Sequence, residues 1–140
     1  MCRHVRTTAH PQQPIPLFED LLSLLMLPEN SHVSFNIDVK PSSDPYAIFP
    51  IMAALIALYP PTLQSRLILG LWHPAFILPS LVYLPSPVKR WHIGASIPFA
   101  REYFWDYVDG FSMLFDVLVD RPGQAFRREC AEKEKELGVW

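Results

Sequence analysis

The sequence predicts an α/β fold, in which β-strands and α-helices alternate and the strands pair in parallel. Apolar residues recur at strand spacing in some segments and at helical spacing in the segments between them, which is typical of successive βαβ units. Fifteen prolines are spread along the 140 residues, and this indicates many short elements rather than a long helical bundle. Half of the residues are hydrophobic, which is enough for one domain with a core.

The most regular strand pattern covers residues 32–40. Apolar and polar positions alternate along it, which gives the predicted strand one apolar and one polar face. The apolar side chains are Val33, Phe35, Ile37 and Val39, and the polar ones are Ser34, Asn36, Asp38 and Lys40.

A helix is predicted on each side of this strand. The earlier helix begins after Pro14 or Pro16 and ends at residues 28–30. The later helix begins at Asp44-Pro45, where a capping side chain precedes a proline at the first helical position, and it ends before Pro60. Its predicted apolar stripe consists of Ile48, Ile51, Met52, Leu55 and Tyr59.

The rest of the chain continues the alternation. Strands are predicted at residues 66–71, 89–95 and 108–114, and a fifth strand begins at residues 138–140. Helices are predicted in part of residues 74–83, from residue 96 to residue 106, and over residues 124–137. Phe126, Cys130 and Leu137 form the predicted inner side of the last helix, and its many charged residues indicate a solvated face.

These units fit two architectures. Right-handed βαβ crossovers build either an open doubly wound sheet or a closed barrel. No glycine-rich phosphate loop follows a predicted strand, which disfavours a nucleotide-binding open sheet. A closed (β/α)8 barrel needs eight such units, whereas only about five are predicted here.

The charge balance and the cysteines exclude several classes of function. Twelve basic and fourteen acidic side chains give a net charge of −2, so nothing favours nucleic acid as a partner. Cys2 and Cys130 form neither a disulfide framework nor a metal-ligand spacing, and we expect a reducing compartment. The apolar runs 48–59 and 67–84 are too short or too rich in proline for a membrane span, and buried strands give the same pattern.

The polar face of the 32–40 strand is the most informative feature for function. In a barrel, Asn36, Asp38 and Lys40 would face the interior near the carboxyl end of the strand, where barrel enzymes place catalytic groups. A carboxylate two residues from a lysine on the same face can hold a divalent cation beside an anionic phosphate. The alternative is an Asp–Lys pair that only closes the end of a strand at the surface.

Several segments carry a family resemblance, and they occur in the family's order. They are residues 4–8, 14–22, 35–40 (Phe-Asn-Ile-Asp-Val-Lys), 66–72, 92–94, 98–101 and 138–140 (Gly-Val-Trp). Together they resemble the fungal phosphatidylglycerol phospholipase C-like branch of the glycerophosphodiester phosphodiesterase family. The resemblance implies a partial (β/α)8 TIM barrel with about five of its eight strands present.

The resemblance also implies a phosphoric diester hydrolase of lipid metabolism, which cleaves phosphatidylglycerol or a similar glycerophosphodiester. In such enzymes two histidines act as general acid and base, three acidic residues hold Mg²⁺ or Ca²⁺, and a lysine contacts the phosphate. Charge that develops on the phosphoryl oxygens must be met by fixed positive charge. By this resemblance Asp38 is the third metal ligand, although family members often have Glu there, and Lys40 contacts the phosphate.

Other parts of the family pattern have no counterpart in this sequence. The His-Arg-Gly motif, the Glu-x-Asp metal pair and the second catalytic histidine are expected upstream of the chain, and neither His4 nor His10 stands in a matching context. We therefore expect a loose segment at residues 1–13, followed by an incomplete barrel domain at residues 14–140. We expect no catalytic histidine, only weak binding of the divalent ion, and no activity in this chain alone.

Four further side chains are candidates for substrate binding, each with a structural alternative. His73 lies at the expected rim of the site, or it is a loop histidine bonded to backbone. His92 lines the barrel interior, or it is a satisfied core histidine. Ser112 and Trp140 face a substrate glycerol, or they are packing residues.

Two other classes of function stay open at this point. One is a non-catalytic remnant that binds a lipid surface or a partner protein, because missing strands would leave unpaired edges and apolar faces. The other is an unrelated small α/β domain. The expected partners are a glycerophospholipid substrate and, by peripheral contact, a membrane, and the expected location is intracellular, in the cytoplasm or at an internal membrane.

Overall fold

A computed structural model describes residues 5–140, which divide into two compact units. The first unit extends to Val33, and the second covers Ser34–Trp140. The predictions that concern Cys2 and His4 lie outside the described residues.

The first unit contains one α-helix and a short antiparallel bridge. Arg6 and Pro14 form the bridge, and helix α1 spans Phe18–Leu25. The carboxylate of Asp20 accepts a hydrogen bond from the backbone N–H of Leu17 at 2.7 Å, which places negative charge at the amino end of the helix. A 3₁₀ turn at Pro28–Asn30 follows, so the predicted position of this helix is confirmed.

The second unit alternates strands and helices from its start to its end. The strands are β1 Phe35–Val39, β2 Leu67–Leu71, β3 Lys89–Gly94, β4 Gly110–Met113 and β5 Glu136–Val139. The α-helices are α2 Pro45–Ile56, α3 Pro61–Gln64, α4 Ile77–Tyr83, α5 Ile97–Tyr103 and α6 Arg121–Glu132. Short 3₁₀ helices occupy Pro74–Phe76 and Phe115–Leu118.

The five strands form one parallel sheet in the order β1-β2-β3-β4-β5. Because the spatial order equals the chain order, every crossover moves one strand in the same direction, and right-handed crossovers then place the connecting helices on one face. A doubly wound sheet reverses its strand order at a switch point, and the described strands contain no such reversal. The predicted α/β class with parallel strands is confirmed.

Three helices of this unit begin at side-chain caps that the sequence supplies. Asp44 accepts a hydrogen bond from the N–H of Tyr46, Ser96 from that of Phe99, and Asp120 from that of Gly123. A proline stands in the first turn of each of these helices, where the backbone needs no donor. Local chemistry therefore sets where each helix starts after its strand.

The core lies between one face of the sheet and the helices. The Phe111 ring on β4 packs against the rings of Trp105 and Phe126, with centroid distances of 5.3 and 5.2 Å. On β3, the buried Arg90 guanidinium donates hydrogen bonds to the carbonyl oxygens of Ser80 and Leu84 at the end of α4. The Ser80 carbonyl also accepts the backbone N–H of Leu84, so Arg90 adds a cationic donor at the carboxyl end of this helix, where the helix dipole is negative.

Two sequence predictions are wrong in detail, and one short element is absent from them. In α2 the buried side chains are Phe49, Met52 and Ile56, while Ile51 is 63% exposed. This helix is apolar on nearly all sides, so its sequence pattern does not select a buried face. Leu137 lies in β5 rather than in the last helix, because Glu134 adopts a left-handed conformation with φ of 54° just after α6 ends. The short helix α3 was not predicted.

Among residues 5–140, no helix is both long and apolar enough to cross a lipid bilayer.

The aromatic cluster between β4 and α6 should carry a large share of the stability. We expect Phe126→Ala to lower the free energy of unfolding by about 3–5 kcal/mol, because the side chain is fully buried and its removal leaves a cavity. Phe115→Ala removes the same side chain from a position that is 57% exposed and should change stability by only about 0.5 kcal/mol. Urea denaturation measures both, and equal effects would contradict the assigned core.

Candidate functional site

A cleft of about 230 Å³ lies at the carboxyl ends of the strands. Its lining comes from β1, β3 and β4 and from the residues that directly follow β1, β2 and β5. The lining residues are Asn36, Asp38, Lys40, Trp72, Ile93, Ser112 and Trp140. Because side chains alternate between the two faces of a sheet, Ile93 and Ser112 face the cleft while their neighbours His92 and Phe111 face the core.

The strand register brings these residues together. In parallel pairing, Asp38 stands beside Gly70, and Ile93 stands beside Ser112. A side chain at position 70 would collide with the side chain of Ile93 and approach the Asn36 amide oxygen to 3.0 Å. Glycine at this position therefore lets the floor of the cleft close around Ile93.

Asp38 and Lys40 project from the same face, as the alternating pattern predicts, and they form an ion pair. The Lys40 ammonium donates a hydrogen bond to Oδ2 of Asp38 at 2.6 Å, and the Trp72 indole N–H donates to Oδ1, also at 2.6 Å. Partial burial alone would raise the pKa of Asp38, but the hydrogen bonds from Lys40 and Trp72 and the Lys40 charge lower it below its ordinary value. The carboxylate is ionised, and both of its oxygens have donors.

Two tryptophans form the walls of the cleft. The rings of Trp72 and Trp140 meet edge to face with their centroids 5.7 Å apart, and the Lys40 nitrogen lies 5.0 Å from the centroid of a Trp72 ring. The Trp140 indole N–H donates to the carbonyl oxygen of Ser112 at 3.2 Å, which fixes the ring beside β4. The cleft thus combines one ammonium group with two flat aromatic walls.

Five of the residues singled out from the sequence meet in this cleft: Asn36, Asp38, Lys40, Ser112 and Trp140. Trp72 was not among the candidate site residues, yet it lines the cleft and its indole N–H donates to Asp38. Its position in the sequence could have predicted this. Trp72 stands two residues after Gly70, and Lys40 stands two residues after Asp38, which pairs with Gly70 in the neighbouring strand. Ile93 was missed because an apolar residue gives no chemical signal.

His92 does not line the cleft, so the alternative that placed it in a barrel interior is wrong. It is 1% exposed and stacks on Phe104 with a centroid distance of 3.9 Å, on the core side of β3. Its Nδ1 lies 3.0 Å from the carbonyl oxygen of Leu71, which requires a proton on Nδ1. Burial lowers the pKa of His92 to about 4, although the bond to Leu71 opposes that shift.

His73 is exposed, and it lies outside the cleft lining. Its Nδ1 accepts a hydrogen bond from the backbone N–H of Ala75 at 3.1 Å, so it caps the 3₁₀ helix that follows β2. Its place in the structure is that of a loop histidine bonded to backbone.

The residues present do not fit a resident Mg²⁺ or Ca²⁺ ion. Such ions prefer several oxygen ligands, and Asp38 is the one carboxylate among the residues that line the cleft. An ion at Asp38 would have to displace the Lys40 ammonium or the Trp72 indole. Within residues 5–140, no group of three or more His, Cys, Asp or Glu side chains could hold a metal ion.

The chain matches no protein-family model, no curated protein and no solved structure.

The Asp38–Lys40 contact should be visible in the titration of Asp38. We expect Lys40→Met to raise the pKa of Asp38, because both a hydrogen-bond donor and a positive charge are removed. NMR titration of the Asp38 side-chain carboxyl measures the shift, and Lys133→Met removes an exposed lysine outside the cleft lining as a control. An unchanged pKa in Lys40→Met would mean that the pair does not form in solution.

The buried His92 should make stability depend on pH. Because its folded-state pKa is lowered to about 4 from 6.5, its contribution is complete above pH 6.5 and is lost as the pH falls toward 4. Full loss corresponds to about 3 kcal/mol in the free energy of unfolding. His92→Asn keeps a donor for the Leu71 carbonyl but cannot titrate, so its stability should fall less between these pH values. Equal slopes in urea denaturation at several pH values would contradict this assignment.

Proposed function

We propose that this chain is part of a glycerophosphodiester phosphodiesterase-type (β/α)8 barrel, and that its cleft binds the phosphodiester group of a glycerol-containing ligand. The observation that carries the proposal is the Lys40 ammonium, which is held between Asp38 and Trp72 at the carboxyl end of β1. Ligands of barrel proteins bind at this end of the strands.

The sheet geometry supports an arc of a barrel. The five strands follow one another in unbroken chain order, which is the order of strands around a (β/α)8 barrel. Side chains that face the helices form the core, whereas the other face carries polar and aromatic groups such as Asn36, Asp38 and Trp91. In a barrel that second face lines the interior, where side chains from successive strands meet in layers.

The cleft chemistry favours a phosphodiester over a phosphomonoester. The Asp38 carboxylate balances the Lys40 ammonium, so a phosphodiester with one negative charge meets less repulsion from Asp38 than a phosphomonoester with two. An ammonium has three donors, so Lys40 can keep its bond to Asp38 and still donate to a phosphate oxygen. The indole walls of Trp72 and Trp140 offer flat apolar surfaces to the carbon atoms of a glycerol.

We further propose that this chain alone binds its ligand but does not cleave it. Hydrolysis of a phosphodiester needs groups that transfer protons and fixed positive charge that stabilises the phosphoryl oxygens. The residues that line the cleft include no histidine, and their one carboxylate is occupied by two donors. In complete members of the family, these groups are supplied by motifs that this sequence lacks.

Binding of glycerophosphoglycerol tests the proposal directly. We expect this diester to perturb the NMR signals of the Trp72 and Trp140 indoles, and Lys40→Met to weaken binding about tenfold or more, because a charge-assisted hydrogen bond is lost. Lys133→Met should leave the affinity unchanged, and glycerol without phosphate should bind far more weakly to the unaltered protein.

Two results would contradict the proposal. One is binding of the diester that Lys40→Met leaves intact, because the phosphate would then lie elsewhere. The other is turnover of phosphatidylglycerol in the presence of Mg²⁺ or Ca²⁺ that Asp38→Ala abolishes, because Asp38 would then act in catalysis with a metal ion.

A further inference from the structure

Two neighbouring helices of the second unit carry no ionic side chain. No Asp, Glu, Lys or Arg occurs in residues 45–64, which include α2, or in residues 67–88, which include α4. The two helices contact each other, and the rings of Tyr46 and Tyr83 meet edge to face with centroids 6.5 Å apart. Such all-round apolar helices are typical of positions that are covered on every side.

The outer sides of these helices are nevertheless exposed. On α2, Ile51 is 63% exposed, and Leu58, two residues beyond the end of the helix, is 78% exposed. On α4, Leu78, Leu81 and Val82 share one helical face and are 62%, 47% and 64% exposed. We call this surface, formed by Tyr46, Ile51, Leu58, Leu78, Leu81, Val82 and Tyr83, the α2–α4 face.

The α2–α4 face differs from the other helical surfaces of the same unit. Helices α5 and α6 are joined by an ion pair between Arg101 and Glu129, and α6 carries further charges along its exposed side. The α2–α4 face offers on the order of 600 Å² of apolar surface, at the upper end of what typical monomers expose. The largest apolar patch on a protein is often a functional surface.

We infer that the α2–α4 face binds the interface of a lipid bilayer. A bilayer interface accepts apolar side chains without requiring any compensating charge, and tyrosine rings are enriched at that depth. The surface carries no charge over two whole helices, which matches this environment. A stable homodimer commonly buries about 1,000 Å² or more on each subunit, which is more than the α2–α4 face provides.

The lining of the cleft and the α2–α4 face share no residue, so the two inferences can be tested separately.

Flotation of the full chain with vesicles provides the test. We expect the protein to float with phosphatidylcholine vesicles, and to float equally well when phosphatidylserine is added or the salt concentration is raised, because no charged group takes part. Ile51→Glu combined with Leu78→Glu should weaken the partition about tenfold or more, because charge and polarity enter the apolar surface.

The matched control is Phe115→Glu combined with Val119→Glu. These positions are 57% and 50% exposed and lie outside the α2–α4 face, so this variant should float like the unaltered protein. Thermal unfolding of both double variants establishes that they are folded. Lys40→Met should also float normally, which keeps a failure of the cleft proposal distinct from a failure of this one.

Three outcomes would overturn the inference. The first is a protein that does not float with phosphatidylcholine vesicles. The second is flotation that requires anionic lipid and is lost in high salt, which would assign binding to basic groups. The third is a dimer in analytical ultracentrifugation that Ile51→Glu with Leu78→Glu dissociates, which would make the α2–α4 face an interface between copies of this chain.

Discussion

Every feature of the cleft depends on the parallel pairing of the five strands in unbroken order. Parallel strands end at the same edge of a sheet, so residues that are far apart in the sequence meet there without any long loop. Lys40 follows β1 and Trp140 follows β5, yet both line one cleft of about 230 Å³. A single strand inserted in the antiparallel sense would place its carboxyl end at the opposite edge and remove its contribution.

The same pairing directs neighbouring side chains to opposite faces of the sheet. His92 and Ile93 are adjacent on β3, but the histidine stacks on Phe104 in the core and the isoleucine lines the cleft. The register of β3 is therefore strongly constrained. A shift of β3 by one residue would turn the Arg90 side chain to the other face and break its hydrogen bonds to α4. The contacts between Arg90 on β3 and the end of α4 therefore also fix which side chains reach the cleft.

The sequence was sufficient to predict the α/β class, the five strands and the shared face of Asp38 and Lys40. Apolar and polar residues alternate with a period of two along a strand, so a segment of only a few residues shows the pattern. It was not sufficient for the buried face of α2, where nearly every residue is apolar and only tertiary contacts select Phe49, Met52 and Ile56. His92 was ambiguous because periodicity divides a strand into two faces without saying which face is covered by helices. The role of Trp72 depends on a neighbouring strand, since its partner Asp38 is 34 residues away.

The Asp38–Lys40 pair contributes little to the stability of the fold, so stability does not explain why the pair is present. Both side chains are well exposed, at 40% and 61%, and exposed ion pairs contribute only about 0–1 kcal/mol because water screens them. The fold is held by the aromatic core and by the parallel ladder, which do not require a charged pair at the end of β1. A chain under selection for stability alone would gain almost nothing from an aspartate, a lysine and a tryptophan arranged around one carboxylate. The proposal that the cleft recognises an anionic ligand accounts for this arrangement, because such binding depends on an ammonium group held in a fixed position beside aromatic walls.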